Sequence, residues 1–156
     1  MGEAMVITAK ALYKYFVKLL SKDTIVALVK TTKRLVPFSP MFKVKTTCGM
    51  NYGGLAYKYN SIEISSWVLK DAKEAKGVVR HEVAHLLHDY IDTGGTAHGK
   101  EYLSVLKIVS PKTWRRDRHF NMTPAIQQAR KLIHPSKHKV NVASYRIPYI
   151  HSYAVV

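Results

Sequence analysis

No stretch constrains this 156-residue chain more than His81-Glu82-Val83-Ala84-His85. Gly77-Val78-Val79-Arg80 leads into it, and Ala84, Leu86 and Leu87 give it an apolar side, the pattern of an amphipathic helix. On a helix, residues four apart stand one above the other, so both imidazoles reach one ion and Glu82 lies beside it. Two donors leave such an ion incomplete. His98, in Ala97-His98-Gly99-Lys100-Glu101, is the expected third donor. His88 is nearer in sequence, but it lies about 10 Å beyond His81 along the helix, too far to share the ion. Gly94-Gly95 offers the break at which the chain turns back, and a second helix is expected to begin near Gly99.

The H-E-x-x-H spacing is that of zinc hydrolases, in which neutral histidines hold Zn²⁺ and the glutamate handles the proton of an attacking water. Three protein donors with an open fourth position suit a catalytic zinc; a structural zinc ordinarily takes four. The expected centre is therefore one Zn²⁺ ion on His81, His85 and His98, with Glu82 as general base. The sequence has no internal repeat, phosphate-binding glycine loop, paired-carboxylate site or serine-histidine site to compete with this motif.

Taken together, His81-Glu82-Val83-Ala84-His85, His98-Gly99-Lys100-Glu101-Tyr102 and Arg115-Arg116-Asp117-Arg118-His119-Phe120 resemble the SprT-like zinc metallopeptidases, the group that includes Spartan. Gly53-Gly54-Leu55-Ala56 followed by Ser61-Ile62-Glu63-Ile64-Ser65 resembles that family's glycine-then-strand lead-in. The likeness spans roughly residues 40–120 and is far more specific than either histidine motif alone. It implies a zincin-like α+β domain in which Glu82 is the catalytic base and His98 the third ligand. It also implies an endopeptidase acting on DNA-associated or DNA-crosslinked proteins, with DNA stimulating cleavage. By the same resemblance, the strand near residues 62–65 is the candidate edge that pairs with an extended peptide; backing the helices is its other reading. One departure stands out: many members carry a zinc ribbon built on cysteines, and the single cysteine here, Cys48, excludes a four-cysteine ribbon.

The formal charge of +15 is unevenly placed. Residues 1–50 hold nine Lys/Arg against two acids, residues 51–98 five against six, and residues 99–156 eleven against two, with no acid after Asp117. A near-neutral middle between two cationic flanks is more one-sided than solubility requires and points to an anionic partner. With a sequence pI near 9.9, nucleic acid is the expected one, specifically DNA of single-stranded character. Lys112, Arg115, Arg116 and Arg118 follow the His98 motif closely and are the expected contacts. His119 is a candidate either for stabilising an oxyanion or for a structural hydrogen bond. His88 and Asp89 either orient a metal ligand or end a solvated helix. Tyrosines in residues 12–16 and 57–59 either stack on bases or pack with their hydroxyls at the surface. Two other functions stay open: a non-catalytic, zinc-stabilised nucleic-acid-binding protein, and a metallopeptidase with no DNA role.

The remaining pattern predicts an α+β domain over residues 1–136 with its motif core at 40–120, then a basic arm or β-hairpin over 137–156. Leu12, Phe16, Leu19 and Leu20 recur at helical spacing over residues 9–20, with Lys10, Lys14 and Lys18 on the other side. A second helix is expected over 24–35, capped by Asp23 and stopped by Pro37, and Pro37 and Pro40 mark the turn into a sheet. Strands are expected at 42–46, 55–59 and 62–64 in antiparallel order, with turns at Gly53-Gly54 and Asn60-Ser61. Asp71-Ala72-Lys73-Glu74 reads as a capping box opening the histidine helix, which runs to about Tyr90. A helix over 101–109 should follow, then two short ones opened by Ser110-Pro111 and Thr123-Pro124, the second ended by Pro135. Pro148 limits the last segment to a sheet edge. No apolar run approaches the ~18 residues of a membrane span, and one cysteine permits no internal disulfide. A cytoplasmic monomer, nucleoid-associated or nuclear, is the corresponding expectation.

Overall fold

Ile62 and Ile64 are fully buried, and the serines flanking them, Ser61 and Ser65, are buried as well, so their strand needs cover on both faces. It lies inside the sheet. The computed structural model describes residues 5–32, 41–47, 53–57, 61–91, 98–132 and 141–147. Among these, β1 (Met41–Thr47), β2 (Gly54–Tyr57), β3 (Ser61–Ser65) and β4 (Asn141–Arg146) form one sheet in the order β2-β3-β1-β4. β2 and β3 are antiparallel, with Gly54 opposite Ile64 and Tyr57 opposite Ser61. β1 runs parallel to β3, pairing Lys43 with Ser61 and Thr47 with Ser65, and antiparallel to β4, pairing Met41 with Arg146.

Two expectations are corrected here. The sheet has four described strands and is mixed, not three in antiparallel order, because the two-sided burial of β3 draws it to the centre beside β1. β3 is consequently not an edge. The outer strand next to it is the half-buried β2. Phe42, Val44 and Thr46 of β1 turn inward while Met41 and Lys43 are exposed, the alternation expected of a strand with one covered face.

The helices are α1 (Ala9–Leu19), α2 (Lys22–Thr32), α3 (Ala72–Ile91), α4 (Lys100–Val109), α5 (Trp114–Asp117) and α6 (Pro124–Leu132), with a 3-10 helix at Ser66–Lys70. Thr8 caps α1 by accepting from the Ala11 N–H at 3.0 Å, and α1 buries Leu12 and Phe16 while Lys10, Lys14 and Lys18 stay exposed. α2 is opened by Ser21, whose Oγ accepts from the Thr24 N–H, and not by Asp23, which falls in the first turn. Only half of the capping box forms. Asp71 accepts from the Glu74 N–H at 3.3 Å, but the Glu74 carboxylate pairs with Arg116 instead of reaching back. α5 starts at Trp114, not at Pro111, because residues 111–113 form a turn and the Ser110 hydroxyl is taken by Asp117 and Thr113. The Thr123 hydroxyl likewise donates to Asp71 at 2.9 Å, tying the start of α6 to the start of α3.

α3 is the axis of the molecule. It packs on β2, β3, α1, α4 and α5, so burial is not confined to one side: Ala75, Val79, Val83, Ala84 and Leu86 are all fully covered. Each large apolar side chain so buried contributes about 1.5–3 kcal/mol, which holds the histidine helix rigid from several directions. No helix among the described residues is long and apolar enough to cross a membrane. The expectations resting on Pro37, Pro40, Cys48, Asn60, Gly94-Gly95, Pro135 and Pro148 lie outside the described residues.

Candidate metal centre

The donors come from two helices. His81 and His85 sit one turn apart on α3, and His98 immediately precedes the Gly99 that opens α4. Their Nε2 atoms converge: His81 to His85 is 3.2 Å, His85 to His98 is 3.0 Å and His98 to His81 is 3.3 Å. Among the described residues this is the one group of three or more His, Cys, Asp or Glu side chains so arranged. Hydrogen bonding alone does not satisfy it. A neutral ring nitrogen either carries a proton or offers a lone pair, so three mutually adjacent nitrogens cannot each find a complement.

His81 fixes the sense of the arrangement. Its Nδ1–H donates to the backbone carbonyl of Asp117 at 2.6 Å, which leaves the lone pair on Nε2, inside the triangle. Burial lowers the pKa of His81 despite that hydrogen bond. Burial, then neighbouring His81 and His98, push His85 down to about 3. Both rings are thus held neutral, the form that binds metal. Donors of a tetrahedral ion bound at ~2.0–2.1 Å stand roughly 3.3–3.4 Å apart. The observed triangle is close to that size, so the three histidines fit a zinc-like ion with one position open.

Glu82 is buried in the wall of the same cleft, a depression of about 410 Å³. Desolvation pushes its carboxyl up to about 8 in the metal-free protein. Gly54 at the start of β2 faces it so closely that an added Cβ would lie 3.0 Å from Glu82 Oε2 and 2.6 Å from Val78 Cγ1. Glycine is needed there for close approach.

A model of the SprT-like family matches residues 13–125. This chain belongs to the SprT-like family. No curated protein and no solved structure matches it. The SprT-like family is associated with zinc metallopeptidases, and the histidine triangle gives this member a group able to hold a metal ion.

Around the triangle, the SprT-like chain uses residues whose roles their sequence context did not reveal. The Asp117 carboxylate receives Arg80 Nε and Nη2 at 2.6 and 3.0 Å and also accepts from Ser110 and from Thr113. Burial opposes ionisation of Asp117, but the Arg80, Ser110 and Thr113 hydrogen bonds outweigh it and hold the pKa below its usual value. This clamp keeps the Asp117 carbonyl on His81. Tyr102 acts from α4: its hydroxyl donates to the His81 carbonyl at 3.0 Å, and its ring stacks on His85 with centroids 4.2 Å apart. The only sequence signal for either was indirect, an aromatic four residues after His98 and an acid within an arginine run.

The other singled-out residues separate. Arg118 and His119 are exposed and line the metal cleft, and Arg116 lines it while paired with Glu74. Arg115 lies over the Trp114 ring at 4.9 Å, and Lys112 is exposed on the preceding turn, outside that cleft. His88 is buried with its ring edge toward Tyr102, one turn past His85 and outside the donor group; Asp89, half-buried, is outside it too. Tyr13 and Tyr15 are half-buried with their hydroxyls bound to the Ser144 carbonyl and to Arg80, the packed arrangement and not a free stacking platform.

Proposed function

We propose that this SprT-like chain is a zinc-dependent endopeptidase acting on DNA-associated proteins, including proteins crosslinked to DNA. The observation that carries the peptidase reading is the convergence of three Nε2 atoms with the Glu82 carboxylate in the same cleft. Zinc, when bound, supplies a Lewis acid for the scissile carbonyl and makes water nucleophilic near neutral pH. The chain supplies the rest. His81, His85 and His98 hold the ion; Glu82 takes a proton from the attacking water and returns it to the leaving amine. β2, the outer strand beside the cleft, offers backbone N–H and C=O groups to an extended peptide, a zincin-like arrangement that gives affinity with little side-chain selectivity. His119, which lines the cleft, is our candidate donor to the developing oxyanion.

The DNA component is supported by the cationic flanks of the chain and by Arg118 at the cleft. The test is a single protein presented to the zinc-loaded chain both free and crosslinked to a single-stranded oligonucleotide. The crosslinked form should be cut at least about tenfold faster, since tethering raises the effective concentration at the cleft. Equal rates remove the DNA component and leave the peptidase. No cleavage of either form removes the peptidase. Stripping the metal with a chelator should abolish cleavage, and adding zinc back should restore it.

A further inference from the structure

The first turns of α3 separate two depressions. Glu74, Gly77 and Val78 face the metal cleft, whereas Lys73 and Lys76 face a larger groove, about 1030 Å³, whose other wall is α1. Lys14 and Lys18 line that wall with Tyr15 between them, and Lys10 stands one turn before Lys14. All five lysines are exposed. Lys14 and Lys18 are spaced ~6 Å apart along the helix axis, so two ammonium groups follow one another along this wall with Lys73 and Lys76 on the other, whereas Lys10 lines a separate depression beside β1 and β4.

None of these lysines is seen paired with a carboxylate among the described residues, unlike Arg80 with Asp117 and Arg116 with Glu74. The acid that lines the groove, Asp71, is already committed, one oxygen to the Glu74 N–H and the other to the Thr123 hydroxyl. Four lysines against one acid leave the described lining of the groove with a net positive charge; like charges repel one another, and an external polyanion removes that cost. A nucleic-acid strand carries its charges in a line, one per nucleotide, and so matches a linear array better than a small anion, which needs donors that converge. Met5 and Val6, 76% and 62% exposed, also line the groove. Main-chain hydrogen bonds from Ile7 to Leu69 and from Ala72 to Met5 hold that segment in place, so it presents an apolar surface to unpaired bases. Of the arginines after α4, Arg116 is paired to Glu74 and Arg115 is laid over Trp114, while Arg118 is exposed; in the groove, Lys76 lies over the Tyr15 ring at 5.3 Å.

We infer that the groove between α1 and the start of α3 is the surface on which a single nucleic-acid strand lies, its phosphates on Lys14, Lys18, Lys73 and Lys76. This locates the DNA partner proposed above and rests on that reading. The strand would lie one side chain from the metal-orienting clamp: Tyr15, in the groove, accepts from Arg80 at 2.8 Å, and Arg80 holds Asp117.

The test compares the wild-type chain with a Lys14→Gln, Lys18→Gln, Lys73→Gln, Lys76→Gln variant and with an Arg115→Gln, Arg118→Gln variant. Binding to fluorescent oligothymidylate is measured across a salt series, and binding to phosphatidylserine-containing vesicles in parallel. The lysine variant should lose at least about tenfold in affinity at low salt, and its salt slope should fall by roughly 3, near 0.7 per lost phosphate contact. Its melting temperature and zinc content should match the wild type, and Lys→Arg at the same four positions should restore binding. The arginine variant should lose less. Unchanged affinity and slope in the lysine variant, with wild type binding normally, overturn the groove assignment and leave the DNA reading intact. A loss confined to vesicles makes the groove a lipid surface and overturns it too. If the wild-type chain binds no oligonucleotide at low salt, the DNA reading and the groove fall together, while cleavage of a free unstructured protein still reports separately on the peptidase.

Discussion

Burial gives Glu82 a large electrostatic cost in the metal-free protein. Its folded pKa is about 8 against an ordinary 4.5, so the folded state holds its proton more tightly than the unfolded state does. The stability contribution is full below pH ~4.5 and declines as pH rises toward ~8, at up to about 1.4 kcal/mol per pH unit. His81 and His85 act in the opposite sense. Their folded pKa values lie below 6.5, so they add stability as pH rises to that value and nothing further above it. Between pH ~6.5 and ~8 Glu82 therefore stands alone: denaturant melts of the metal-free chain should show falling stability there, and Glu82→Gln should flatten the slope. A slope unchanged in that variant would show that Glu82 is not the titrating group. Asp117 is the second test at this scale. Asp117→Asn breaks a buried pair with Arg80, which should cost about 3–5 kcal/mol. It should also weaken zinc binding roughly 10–100-fold by loosening the carbonyl that orients His81, measurable by competition with a chromogenic chelator.

Between elements, the closest fit is β2 against α3. Gly54→Ala would drive a methyl group into Val78 and the Glu82 carboxylate, costing about 1–3 kcal/mol and displacing the base. Cleavage should fall with zinc affinity nearly unchanged; wild-type activity in this variant would mean that β2 does not set the position of Glu82. Helix periodicity made α1, α3 and α4 legible in the sequence, because four-residue spacing of Leu12 and Phe16, or of His81 and His85, is a local property. The sheet was less so. Strand positions follow from alternation, but which strand is central depends on what covers each face, and Ser61, read from sequence as part of a turn, and Ser65 are buried in the structure. Asp71 caps α3 and α6 begins at Pro124 as expected, but the Glu74 carboxylate and the Ser110 and Thr123 hydroxyls, read as local helix signals, bond side chains outside their own helix start, up to 52 residues away. The same non-locality hid the Arg80–Asp117 clamp, while the three histidines that could hold a metal, two of them on one helix, were legible from spacing.

At the scale of the whole molecule, one rigid helix divides the work. One face of α3 carries two of the three histidines that could hold a metal and another, with α1, gathers exposed lysines. The central claim is that the histidine triangle and Glu82 form a hydrolytic centre. It is tested most directly by measuring bound zinc and cleavage of an unstructured protein on the same preparations of wild type and Glu82→Gln. We predict one zinc per chain in both, with cleavage at least about a hundredfold slower in the variant, the scale of general-base catalysis. Equal cleavage by the two, at equal zinc content, would contradict the assignment of Glu82 as the base.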